Sequence, residues 1–270
     1  MPNKTLDLTP LAGEMLKPKE LIEVKSAGKF TLEDRRLYNA LVEHAWGPKL
    51  GQAGHVFEIP TGELRKLSGD NQRLRKSLKV LMATLVEIEK PDRWRASQLL
   101  GPTEVDTTSN NGVVRYTFPV FLTELLKDST IFAKLDLEVM KAFRSKYAFS
   151  LYEAIARRVR LRRFTENLTM QEIRDVLGVE DGKLDTYRNL NLRAIQPALE
   201  EVNAITPYQV TILPQKKGRK VESFIMGWSV KDTDGMQRAY KELQQPKVGR
   251  RARVDGKGEA LVGDTEGVVE

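Results

Sequence analysis

An α+β chain built as a tandem repeat is the fold class the sequence predicts, and three observations lead there. Glu63-Leu64-Arg65-Lys66-Leu67-Ser68-Gly69 aligns with Glu172-Ile173-Arg174-Asp175-Val176-Leu177-Gly178, and each copy ends a short amphipathic helix on glycine. Each copy is followed by a longer helix with one apolar stripe and then by alternating, strand-like residues. Leu78, Leu81, Val86 and Ile88 after the first copy match Leu199, Val202, Val210 and Ile212 after the second in role. Helix, short helix, turn, longer helix and β-hairpin is the order of a helix-turn-helix carrying a wing, so two tandem winged-helix domains are expected. Two unrelated α+β modules are the alternative.

Along the chain, residues 1–27 are mixed and rich in proline, and they read as a flexible N-terminal arm. Thr31 and Asp34 stand at capping-box spacing, and Leu37, Ala40, Leu41 and Ala45 give the helix that follows an apolar face, stopped by Gly47-Pro48. His55–Ile59 suits a short strand. Thr61 opens a short helix carrying Leu64 and Leu67, which Gly69 ends. Asn71–Thr84 is the longer helix, with Leu74, Leu78, Leu81 and Met82 on one stripe. Val86 and Ile88 then alternate. Further strands are expected at Trp94–Leu99 and Val113–Phe118, with the polar stretch Thr103–Gly112 as the tip of a hairpin.

One long helix, roughly Asp136–Arg162, is expected to join the halves through Val139, Phe143, Tyr147, Leu151 and Ile155. Thr169 and Glu172 form a second capping box before Ile173, Val176, Leu177 and Gly178. A helix over about Asp185–Asn203 follows, and then strands Tyr208–Leu213 and Val221–Val230. The expected organisation is an N-terminal winged-helix domain over 28–134 for dimerisation and DNA contact, a main DNA-binding winged-helix domain over 135–232, and a mobile tail over 233–270.

The charge balance directs attention to polyanions. Lys plus Arg number 44 against 37 acids, a net charge of +7; basic proteins of this size gain affinity for nucleic acid by releasing condensed counterions. The absence of cysteine excludes disulfides and thiolate metal sites and suits a cytoplasmic location. Glu14, Lys17, Lys19 and Glu20 break any signal-peptide core, and no apolar run approaches the roughly 20 residues of a membrane span.

In the second repeat, Leu192, Ile195, Leu199 and Val202 are placed at core spacing, which leaves Asn189, Arg193 and Gln196 on the opposite side with Arg188 and Asn191 near the helix start. Arginine can clamp guanine O6 and N7, and asparagine or glutamine can clamp adenine N6 and N7. Lys216, Lys217, Arg219 and Lys220 crowd one hairpin tip; mutual repulsion there points to an external anion such as the phosphate backbone. In the first repeat, Gln72, Arg75, Lys76 and Lys79 lie opposite the leucine stripe, with Arg73 beside them. That face suits a second DNA contact, and equally the solvated side of a dimerisation domain. Only two histidines, His44 and His55, occur, and no GxxxxGK[ST] loop does, so no enzymatic activity and no cofactor are expected.

Several segments resemble a known family. Ser145-Lys146-Tyr147-Ala148-Phe149-Ser150-Leu151-Tyr152-Glu153 is similar to the SKYAxxLYE stretch of the theta-type plasmid replication initiators, the iteron-binding Rep_3 or initiator RepB family. Arg193–Asn203 with Thr206 and Lys216–Lys220 resembles their recognition helix and wing. Leu37–Leu41, IPTGELRKLSG and LKVLMATLVEIE are also similar, so the likeness runs from about Thr31 to Val230. The resemblance implies monomers on iterons in double-stranded DNA, homodimers in equilibrium with them that repress the initiator's own promoter, plasmid copy control, and recruitment of the host replication initiator and replicative helicase. A winged-helix transcriptional repressor without a replication role is the alternative. One departure stands out: many members of the family it resembles carry two or three consecutive basic residues where this chain has Asn191-Leu192-Arg193, of which only Arg193 keeps the charge. Pro197, which matches the family, lacks a backbone donor and should bend its helix.

Overall fold

The computed structural model describes residues 4–22, 29–90, 93–106, 112–254 and 256. The first half runs β1 (Glu14–Pro18), α1 (Lys19–Ile22), α2 (Leu32–His44), β2 (Phe57–Pro60), α3 (Thr61–Ser68), α4 (Asn71–Ala83), β3 (Leu85–Lys90), β4 (Arg93–Gln98), β5 (Thr103–Val105), β6 (Val113–Tyr116), α5 (Val120–Lys127) and β7 (Phe132–Asp136). The second half runs α6 (Leu137–Ala142), α7 (Lys146–Arg158), β8 (Thr165–Thr169), α8 (Met170–Leu177), α9 (Tyr187–Leu190), α10 (Gln196–Ile205), β9 (Tyr208–Lys217), β10 (Lys220–Val230), α11 (Thr233–Gln244) and α12 (Arg250–Val254), with a π-turn over Asn191–Ile195 joining α9 to α10.

Local chemistry sets the ends of the key helices. The Thr31–Asp34 capping box opens α2 and the Thr169–Glu172 box opens α8; in each, both reciprocal bonds form. Asp70 caps α4 by accepting from the Arg73 amide. Gly69 and Gly178 close α3 and α8 at φ of 88° and 64°, a conformation a β-carbon would disfavour. Leu74, Leu78 and Leu81 of α4 are buried as their spacing predicts, while Met82 is only partly so.

Four expectations are corrected. The arm is not free over residues 14–22: β1 pairs antiparallel with β7, Met15 opposite Leu135, and Met15, Leu16 and Leu21 are buried. A strand whose partner lies about 120 residues away leaves no local periodicity to detect. The joining helix is broken at Phe143, which turns extended (ψ 146°), and Ser145 restarts it by accepting from the Tyr147 and Ala148 amides. The hairpin expected between Trp94–Leu99 and Val113–Phe118 is instead two features. β4 pairs back onto β3, whereas β5 pairs with β6, which also takes β2, in a three-stranded sheet; the tip at 107–111 lies outside the described residues. The tail, finally, is folded over 233–254. Asp232 caps α11 through the Gly235 amide at 2.7 Å, and Ala239 is buried. Met236, Ala239, Tyr240 and Leu243 stand at helical spacing, a stripe that a reading of this segment by its polar and glycine content passes over.

The halves share a core. Every residue of α7 from Ala148 to Arg158 is buried, and one cluster of apolar side chains runs from Met15 and Leu37 through Phe149 and Ile155 to Phe224 and Trp228. Glu153 in α7 ties the junction: its Oε1 accepts from Lys17 Nζ at 2.6 Å and from Asn39 Nδ2 at 2.9 Å, all three side chains being buried. Burial pulls the Lys17 ammonium below its ordinary range, and the attraction of Glu153 opposes that pull. Arg36 of α2 donates to the Phe143 carbonyl at 2.6 Å. The tail closes over the same place, where buried Arg250 donates to the Ala142 carbonyl at 3.1 Å and Arg144 to that of Lys247 at 3.3 Å. Glu242 pairs with both Arg250 and Arg253 and holds α12 against α11.

Candidate nucleic-acid interface

In the second half one continuous rod, Tyr187 to Ile205, is assembled from α9, the π-turn and α10. Thr186 caps it by accepting from the Asn189 amide at 3.3 Å. Pro197 explains the π-turn: it has no amide proton and its ring crowds the carbonyl four residues back, so the ladder widens. The Gln196 amide accordingly reaches the Asn191 carbonyl, five residues back. One extra residue in a turn shifts the helical phase, and the inward side becomes Leu190, Ala194, Ile195, Ala198, Val202 and Ile205, all buried. Leu192, expected in the core, is therefore rotated out to 64% exposure, and Leu199 is only half-buried.

Arg188, Asn189, Arg193 and Gln196 are exposed on this rod, and Asn191 is half-buried. Gln196 Nε2 donates to Asn191 Oδ1 at 3.3 Å, so two of the five candidate side chains hold each other. No acid occurs between Tyr187 and Leu199. Asp185, before the rod, lies 3.8 Å from Arg174.

Arg174 is a residue shaping this surface that sequence reasoning missed. It is buried, and its guanidinium donates to the carbonyls of Glu180, Lys183 and Leu184 at 2.7–3.1 Å. Leu184 takes a left-handed φ of 55°, so this arginine pins the strained loop that delivers the chain into the rod. An arginine inside a short amphipathic helix reads as surface charge, and the carbonyls it serves come from a turn six to ten residues on.

The wing is a hairpin of long strands. Lys217 faces Lys220 across a two-residue turn, Gly218-Arg219, with Gly218 at φ 63°. Lys216, Lys217, Arg219 and Lys220 are all exposed; Lys217 lies 4.0 Å from Glu222, an exposed pair of little energetic weight. Glu222 sits at a register shift between Val221 and Ser223, a bulge that sharpens the twist of the ribbon behind the tip. Val210, Ile212, Phe224, Met226 and Trp228 root the strands in the core, and β8 adds a third strand against β10. The wing is also fixed to the rod. Asn203 accepts from the Val210 amide at 2.8 Å and donates to its carbonyl at 2.9 Å. Lys231 donates to the Asn203 and Thr206 carbonyls at the rod's C-terminal end, where a cation also meets the negative end of the helix dipole.

In the first half, Gln72, Arg73, Arg75, Lys76 and Lys79 are exposed along α4, and Arg73 lies 3.6 Å from its own capping residue Asp70. The wing here is the β3–β4 ribbon, with Val86 buried; the side chain of Ile88 and the turn at 91–92 lie outside the described residues. His44 lies 2.9 Å from the Tyr116 hydroxyl and His55 packs edge-on against Phe57. Among the described residues no group of three or more acids and histidines could hold a metal ion.

Comparison with known proteins bears on these two surfaces. A family profile described as "Initiator Replication protein, WH1" matches residues 14–156, and one described as "Initiator Rep protein, WH2" matches residues 169–228. Among solved structures, the chain is similar to one titled "Crystal structure of Pi initiator protein in complex with iteron DNA", with 17% identity and a TM-score of 0.57, covering 85% of this chain and 99% of that one. Curated proteins returned no match. The second profile spans α8, the rod and most of the wing, and the first takes in β1 and α7, placing the junction helix with the leading winged-helix domain. With more than half its length matched by one profile and the second winged helix by the other, the chain belongs to the initiator replication protein family.

Proposed function

We propose that this chain initiates plasmid replication by binding repeated origin sites, iterons, as double-stranded DNA. The acid-free stretch of the rod from Tyr187 to Leu199, on the same winged helix as the basic hairpin tip, carries the proposal: one domain presents both base-edge donors and acceptors and a cluster of phosphate-seeking charges. The iteron DNA named for the similar solved structure supports the choice of ligand. In this reading Arg188, Asn189, Arg193 and Gln196 face base edges and the wing tip grips the backbone, while α4 supplies a second contact. Monomers occupy the repeats, homodimers form away from them, and the bound chain draws in the host initiator and helicase in the cytoplasm. Among the described residues no helix is long and apolar enough to cross a membrane.

The chemistry proposed is binding without strand cleavage. Purified chain incubated with supercoiled plasmid carrying the DNA on either side of its own coding region should protect a set of direct repeats there from nuclease and, with magnesium or manganese, leave the DNA supercoiled. Protection spread evenly over the plasmid would overturn iteron recognition. A nicked, protein-linked product would overturn the non-enzymatic part.

A further inference from the structure

Leu192 is an apolar side chain placed where the surface is otherwise polar. It is 64% exposed and lies one turn from Arg188 on one side and one turn from Gln196 on the other, with Arg193 its immediate neighbour. The π-turn put it there. On an unbroken α-helix its spacing to Ile195, Leu199 and Val202 would carry it inward; the wider turn before Pro197 directs Leu190 and Ala194 to the core instead.

An exposed leucine on an ordinary surface needs no explanation. On a surface that enters the major groove it has chemical content. It cannot satisfy the acceptors of guanine or the amino donors of cytosine and adenine, and pressing it on them would strip water from polar groups without replacement. The single apolar feature on the groove edge of any base pair is the thymine C5-methyl. We infer that Leu192 is a specificity residue that packs on a thymine methyl within the recognised repeat, selecting thymine over cytosine at that position. The inference rests on the DNA-binding function proposed above.

The test separates the methyl from everything else. A duplex is selected from a random pool with the intact wild-type chain, then synthesised with thymine or with uracil, which removes only the methyl groups. For one methyl contact, uracil should weaken the wild-type chain about fourfold, the order expected for exposing one carbon group. Leu192→Ala should lose a similar factor on the thymine duplex and bind both duplexes alike. The side chain is largely exposed, so the variant should keep the wild-type thermal midpoint, which calorimetry checks. Equal weakening of wild type and Leu192→Ala by uracil would assign the effect to DNA shape and overturn the leucine contact. Indifference of the wild type to uracil would overturn it as well. If the wild type enriches no duplex over random DNA, the failure is that of the proposed function itself.

Discussion

The two halves place the same parts in the same order and differ in how the second helix is made. In the first, α4 is an unbroken 13-residue helix capped by its own Asp70, with one clean leucine stripe inside and a basic stripe outside. In the second, the equivalent rod begins behind a loop pinned by Arg174, passes through a π-turn and carries a mixed outer side of arginine, amide and leucine. The wings differ as well: β9 and β10 span 10 and 11 residues against 6 each in β3 and β4. Uniform charge on a regular helix recognises a backbone; varied hydrogen-bonding groups on an irregular one can recognise bases. On the proposed DNA-binding function, the first half is expected to position the chain and the second to choose sequence.

The largest effect should come from the buried pair that seats α7 in the leading domain. Glu153→Ala leaves the Lys17 ammonium buried and unpaired, and a destabilisation of about 3–5 kcal/mol is expected in chemical denaturation. Replacing both partners with apolar residues should restore much of it. If the single variant unfolds at the wild-type midpoint, the pair is not what fixes α7 in place.

Next comes the contrast between the two helices. Arg193→Ala should cost roughly 1–3 kcal/mol on the cognate repeat and much less on random DNA, whereas Lys76→Ala on α4 should weaken both alike. Equal losses for Arg193→Ala on the two DNAs would remove the distinction between the halves. A cognate-only loss for Lys76→Ala would give the first helix a base-reading role too. Fluorescence anisotropy on both duplexes measures all four values.

The smallest effect sharpens the role of the wing. With about six phosphates contacted, log affinity should fall against log salt with a slope near −5, and Lys217→Ala should reduce that slope by about one while leaving cognate preference intact. A changed preference with an unchanged slope would move the wing tip from backbone to bases.

Legibility in the sequence followed the range of the interactions. Capping boxes at Thr31 and Thr169, the glycines at 69 and 178, the α4 stripe and the basic turn at 216–220 are all set by residues a few positions apart, and the structure has each of them. The exposed positions on the rod were found because polar residues recur there, although the phase of the leucines was misjudged. Counting in steps of 3.6 cannot anticipate a π-turn, and Pro197 suggested a bend where it caused a change of register. What stayed hidden was non-local: the pairing of β1 with β7, the docking of the tail on Ala142, and the work of Arg174, whose partners are backbone carbonyls that carry no residue signature.

The burial of α7 on all sides has a mechanical consequence. A helix enclosed on every face resists bending within its own length, so any change in the setting of α4 against the rod has to be taken up beyond it, in the largely exposed segment 160–164. Such a protein behaves as a caliper whose opening that short segment sets. About five base pairs inserted between the two contacted segments, roughly half a turn of the duplex, would present one of them on the far side of the DNA. With that segment held short, the proposed two-site contact favours origins in which the spacing changes in steps of whole turns.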